Sequence, residues 1–111
     1  MTPQRLTPDA ALQALADDPQ GMRFCLLFQH GSLEIEVYKP FGRDMQTAHA
    51  RDEVYVVIAG RGEFVCAGER QDFIAGEVLF APAGIEHRFE NFSEDFSTWV
   101  LFYGPQGGET P

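Results

Sequence analysis

A chain of 111 residues, 44% of them hydrophobic, has enough apolar surface for one compact core and too little length for two ordinary domains. That composition excludes a disordered chain, and a formal net charge of -9 disfavours nucleic acid and anionic lipid, both of which are held mainly through Lys and Arg. No apolar run approaches the roughly 20 residues of a membrane helix, and the stretch MTPQRLTPDAALQAL is no hydrophobic signal segment, so the expectation is a cytoplasmic protein without a membrane or nucleic-acid partner.

In chain order, LTPDAALQALADDPQG predicts one short helix within residues 1–21. Thr7 can cap it, Pro8 suits its first position, Asp9 favours its positive end, and Pro19 with Gly21 stops it. Leu12, Leu15 and Ala16 form its apolar stripe, which suits a lid or packing element. The period then changes from 3.6 to 2, as Leu33, Ile35 and Val37 alternate with Glu34, Glu36 and Tyr38. Strands are predicted at 22–29, 32–39, 53–59, 62–67, 70–74, 77–81, 87–91 and 96–103, joined by turn chemistry such as HGS, AGRG and PAG. His30 belongs to the first of those turns.

Many short strands at regular spacing imply an all-β sandwich or barrel over residues 22–104, followed by a flexible tail at 105–111. The runs FCLLF and FSTWVLFY are apolar on both faces, so each is expected to be covered twice, by the opposite sheet and by the helix or a partner subunit. A homodimer through the outer sheet or an exchanged N-terminal strand follows from that expectation. Cys25 and Cys66 lack CxxC spacing and read as buried free thiols.

The stretch AHARDEVYVVIAGRGEF sets His49 four positions before Glu53. On one continuous strand their Cα atoms would stand about 13 Å apart, too far to share an ion with bonds near 2 Å. A turn at Ala50, Arg51 and Asp52 brings them together, with His49 ending one strand and Glu53 opening the next. Downstream, in GEVLFAPAGIEHRFEN, Pro82 and Gly84 make a turn from which His87 starts a strand, and His87, Phe89 and Asn91 share a face.

Both stretches resemble the two motifs of the cupin superfamily, small β-barrels named for their cup shape. Gly76, Pro82, Gly84, His87 and Asn91 meet every fixed position of the second motif, a coincidence with a chance probability on the order of 10⁻⁵ at ordinary residue frequencies. His49, Glu53 and Gly60 fit the second half of the first motif. Thr47 stands where the family has its other histidine, and the nearest glycine, Gly42, is one place out of register.

The resemblance implies a cupin double-stranded β-helix, a jelly-roll-like barrel with a short N-terminal helix, and three metal ligands, His49, Glu53 and His87. Such a set would take a divalent ion, Fe, Mn, Ni or Zn. The missing histidine implies either an open coordination position for substrate or water or a weakened site; a hydroxyl from Thr47, an amide oxygen from Gln46 or a carboxylate from Asp44, if the loop bends, are lesser alternatives. Arg51, Asp52, Glu86 and Arg88 read as solvated rim charges, and Asn91 as a buttress. Parity puts Tyr55 and Val57 on the face of Glu53, with Tyr55 a candidate for catalytic proton exchange beside the ion. Phe64, Phe80, Phe102 and Trp99 are candidates for the cup lining or the layer behind it. The expected function is a metal-dependent enzyme, dioxygenase- or isomerase-like, acting on a small organic molecule. The alternative is a non-catalytic binding or sensing barrel, with or without metal.

Overall fold

The computed structural model describes residues 4–21, 23–44 and 46–111. Among the described residues one helix, α1 (Pro8–Ala16), precedes eight strands: β1 (Phe24–His30), β2 (Leu33–Tyr38), β3 (Asp52–Ala59), β4 (Arg61–Cys66), β5 (Glu69–Ile74), β6 (Val78–Ala81), β7 (His87–Glu90) and β8 (Ser97–Tyr103). All pairings among them are antiparallel, giving a five-stranded sheet in the order β1-β2-β8-β3-β6 and a three-stranded sheet in the order β5-β4-β7. This is the predicted two-sheet β architecture with its short leading helix. The predicted start of the first strand at Met22 lies outside the described residues.

The core sits between the two sheets, where period-2 alternation turns one face of each strand inward. Tyr55 and Val57 on β3, Val100 on β8, Phe64 on β4, Phe73 on β5 and Phe89 on β7 are all buried there. Phe89 is its hub, with ring centroids 4.9 Å from Tyr55, 5.3 Å from Phe64, 5.5 Å from Phe73 and 4.7 Å from Phe96. Each such side chain contributes roughly 1.5–3 kcal/mol by leaving water. Gly60, between β3 and β4, has φ +86°, and a Cβ there would stand 2.6 Å from the Phe96 Cα. Only glycine lets that turn press against the Phe96 backbone.

The helix packs on the outer face of the five-stranded sheet. Thr7 caps it by accepting a hydrogen bond from the Ala10 N–H at 3.2 Å, and Pro8 occupies its first turn. Its buried residues are Ala11 and Leu15, four apart on one face, with Leu12 half-buried beside them. Ala16, expected in that stripe, is exposed instead. The helix covers Val37 together with Cys25, Leu27, Ile58 and Trp99.

Double coverage does not extend along the whole of β1. Its alternate residues Phe24 and Leu26 are 45% and 46% exposed, and β1 is an edge strand of the larger sheet. Both cysteines are free but half-buried rather than buried, for each lies near the margin of its sheet. The C-terminal residues are tied to the barrel by two backbone donors: Gly107 N–H to the Ala50 carbonyl at 2.7 Å, and Glu109 N–H to Asp52 Oδ2 at 2.8 Å.

Candidate metal centre

Three elements deliver the site. Glu53 is the second residue of β3 and His87 the first of β7, both on inward faces. His49 lies in the loop before β3 rather than at the end of a strand, so its placement depends on how that loop is held. Two backbone donors of the turn between β6 and β7 hold it: Gly84 N–H reaches the His49 carbonyl at 2.7 Å, and Ala83 N–H reaches Asp52 Oδ1 at 2.9 Å. Gly84 adopts φ +77°, a conformation that favours glycine. The two sequence motifs are thus stitched to each other through their turns.

Asp52 is therefore no solvated rim charge. It is 6% exposed, and its two oxygens bind the turn and the C-terminal segment at once. The Glu109 and Ala83 N–H groups hold its carboxyl below the ordinary value. Arg51 also departs from expectation: it donates to the Ser32 carbonyl at 2.6 Å, pairs with Glu34, and lies over the Phe102 ring. Glu86 is exposed as expected, and Arg88 pairs with Glu90 on the outside of the small sheet. Asn91, just past β7, is exposed at φ +51° and donates to Glu63, a buttress away from the cup.

His49, Glu53 and His87 each present one ligand atom, all within 4.8 Å of one another. His49 Nε2 is 3.8 Å from Glu53 Oε1, and His87 Nε2 approaches the same oxygen closely. Two ligands with bonds near 2.1 Å to one ion stand about 3.0–3.4 Å apart at octahedral or tetrahedral angles, a spacing that small side-chain rotations reach from here. Glu53 and His87 are 1% and 2% exposed, whereas His49 has a third of its side chain open to the cup.

The protonation pattern fits a cation. His87 Nδ1 is 2.9 Å from the Ile85 carbonyl, an acceptor, so Nδ1 carries the proton and Nε2 carries the lone pair. That lone pair faces Glu53 Oε1 without the alignment of a hydrogen bond, and Glu53 Oε2 is a buried oxygen with no hydrogen-bond partner among the described residues. Two acceptors pressed together in a dry site repel unless a proton or metal ion lies between them. Burial pulls the His87 pKa down, but the Glu53 carboxylate and the Ile85 carbonyl push it up further, and the net shift is upward, so the surroundings of His87 favour positive charge.

Tyr55 lies beneath this group, fully buried. Its hydroxyl is 2.8 Å from Glu53 Oε1 and 3.1 Å from Gln46 Oε1, and burial together with the Glu53 charge pushes its pKa well above the ordinary tyrosine value. It remains a donor. The cup above the triad has a volume of about 370 Å³; Glu36, Tyr38, Gln46, Val100 and Phe102 line it with His49 and Glu53, together with Phe24 and Thr47. Of the predicted lining aromatics only Phe102 is on its wall: Phe64 is core, Trp99 is under the helix, and Phe80 is 48% exposed on the outside.

Sequence reading missed Glu36 as a cup residue. Alternation on β2 was its signal, since Glu34, Glu36 and Tyr38 share a face and β2 pairs with β8 so that Glu36 stands opposite Val100. Burial, reinforced by Glu34 and Glu53, raises its pKa to about 7.

Two facing antiparallel sheets with a two-histidine, one-carboxylate group at the mouth define a small β-barrel with a candidate metal site. The family model for the cupin domain matches residues 34–103, and the chain belongs to that family. An uncharacterized protein of Streptomyces coelicolor, SCO3923, is 40% identical over 63 residues, 57% of this chain and 60% of that one, so the match leaves over a third of the relative's length uncovered. Among solved structures, a Cupin 2 conserved barrel domain protein from Salinispora arenicola superposes with a TM-score of 0.66 at 22% identity, over 94% of this chain and 90% of that one. NMB1881 from Neisseria meningitidis does so with a TM-score of 0.67 at 19% identity, over 91% and 100%. KdgF from Halomonas sp. gives 0.66 at 19% identity, over 81% and 84%. These likenesses show the fold.

Proposed function

We propose that this protein is a metal-dependent cupin enzyme, of oxygenase or isomerase type, whose divalent ion is held by His49, Glu53 and His87 and whose substrate is a small organic molecule. The observation that carries the reading is the pair of buried acceptors, His87 Nε2 and Glu53 Oε2, that a hydrogen bond does not satisfy. The donor set, two imidazole nitrogens and a carboxylate, suits Fe, Mn, Ni or Zn. A bound ion supplies Lewis acidity and a fixed point for a substrate oxygen or for dioxygen.

The chain's own residues do the rest. Ile85 fixes the His87 ring, and the Gly84 contact fixes the His49 loop. Tyr55 is not on the cup wall, so it acts by holding Glu53 rather than by exchanging a proton with substrate. Val100 and Phe102 form an apolar floor that limits water beside the triad, and Glu36 adds one carboxyl that can exchange a proton near pH 7. A cup of about 370 Å³ is of a size for a small molecule.

The second reading, a non-catalytic binding barrel, is favoured by one feature: with Thr47 in the family's histidine position, His49 turns to Gln46 and the polar groups form a connected network. Incubation of the metal-loaded protein with a panel of small sugars, aromatic acids and thiols, followed by mass spectrometry with and without oxygen, separates the two. Metal-dependent product formation that disappears in His87→Ala supports the enzyme. A compound that binds with micromolar affinity and is recovered unaltered supports the binding module and refutes the enzyme.

A further inference from the structure

The family's first motif offers a second histidine at the position of Thr47, and Thr47 here is exposed. Its neighbour Gln46 is half-buried and turned inward, with Oε1 3.3 Å from His49 Nε2 and 3.1 Å from the Tyr55 hydroxyl. The separation from His49 falls within the range of about 3.0–3.4 Å expected of two ligands on one ion. Which end of the amide faces the site is fixed by its partner. Gln46 Nε2 is 2.8 Å from Asp44 Oδ2, an oxygen that also accepts the Phe89 N–H, so the NH₂ group points to Asp44 and the carbonyl oxygen to the triad.

Asp44 is itself held from several sides. Its Oδ2 accepts the Phe89 N–H at 2.7 Å, and its Oδ1 accepts the Gln46 N–H at 3.2 Å and the Tyr38 hydroxyl. Phe89 is two residues beyond His87 on the same strand face. Asp44 therefore sets the Gln46 amide in fixed relation to the strand that carries His87, which is how outer carboxylates orient metal ligands.

We propose that the side-chain carbonyl oxygen of Gln46 is the fourth protein ligand of the metal centre, taking the part of the absent histidine from the adjacent position, with Asp44 as its positioning residue. This rests on the metal centre proposed above. The resulting set of two nitrogens and two oxygens is harder than three histidines and a carboxylate, so it shifts preference toward Mn²⁺ and Fe²⁺ relative to Zn²⁺ and Cu²⁺.

The test is metal binding by the full chain, stripped and reloaded, with Mn²⁺ and Co²⁺ as probes, followed by calorimetry and, for Co²⁺, visible absorption. Wild type is expected to bind one ion per chain. Gln46→Leu should weaken Mn²⁺ binding at least tenfold and change the Co²⁺ spectrum, while Gln46→Glu, which keeps an oxygen donor, should bind within a few-fold of wild type or more tightly. A dissociation constant for Gln46→Leu within twofold of wild type, with the same Co²⁺ spectrum, overturns the assignment of Gln46 and leaves the three-residue centre standing. Failure of wild type to bind either ion overturns the centre and Gln46 together. Should Gln46→Leu fail to fold, Zn²⁺ titration of ¹⁵N-labelled wild type decides: the Gln46 side-chain amide signals, assigned by their absence in Gln46→Glu, shift with one equivalent of ion if the carbonyl binds it. Unshifted signals on a protein that has taken up zinc overturn the proposal.

Discussion

Tyr55→Phe removes one hydroxyl and nothing else from the centre of the barrel. The ring keeps its edge-to-face contacts with Phe64 and Phe89, at 5.7 Å and 4.9 Å between centroids, so packing is conserved. What is lost is the donor 2.8 Å from Glu53 Oε1, in a site where Glu53 is 1% exposed and its other oxygen has no hydrogen-bond partner among the described residues. A hydrogen bond to a charged group is worth about 1.5–3 kcal/mol, and the dryness of this site argues for the upper half. For a domain of this length that upper half corresponds to a fall in melting temperature of roughly 10–13 °C. Urea unfolding of metal-free wild type and variant, followed by tryptophan fluorescence and by circular dichroism, measures it, with the slope unchanged because the exposed surface is the same. A loss below about 0.5 kcal/mol would mean that Glu53 is not held by Tyr55, and the account of how the carboxylate is aimed would fail.

Glu36 sets a pH dependence. Its folded pKa, raised to about 7 from 4.5, means the native state holds its proton more tightly than the unfolded chain, so stability is lost as pH rises from about 4.5 through 7. Glu36→Gln should narrow that loss, and urea midpoints of the two metal-free proteins should diverge across this window in favour of the variant; parallel curves would contradict it. Gly60→Ala should cost about 2 kcal/mol or more, since it combines a left-handed backbone with a Cβ 2.6 Å from the Phe96 Cα, and a thermal melt within 2 °C of wild type would refute the close approach. The exposed Phe24 and Leu26 on edge strand β1 lead us to propose a homodimer, and light scattering at micromolar concentration should return twice the mass of one chain rather than the mass of one.

Much of the fold was legible because its signals are local. Alternation announced β2, capping chemistry announced α1, and the spacing of Gly76, Pro82, Gly84 and His87 carried the β6–β7 turn. The ligand trio was legible only through the resemblance of both stretches to the cupin motifs, because nothing local says that His49 and His87 meet. Besides Glu36, three features escaped. Ala11 rather than Ala16 packs under the helix, since the register of a nine-residue helix depends on the sheet beneath it. Asp52 reads as a surface charge until Ala83 and Glu109, both distant in sequence, are seen to donate to it. The inward turn of Gln46 depends on Asp44, which is anchored by Phe89, 45 residues further along the chain. Each is a long-range hydrogen bond or packing register, invisible to periodicity.

The central claim is that His49, Glu53 and His87 bind a divalent ion, and metal content by mass spectrometry on untagged protein tests it most directly. We expect close to one equivalent per chain, drawn from Fe, Mn, Ni and Zn, and its loss in His87→Ala while the barrel remains folded by circular dichroism. A wild-type protein that carries no metal and takes none up on reconstitution would contradict the claim and leave a metal-free binding barrel.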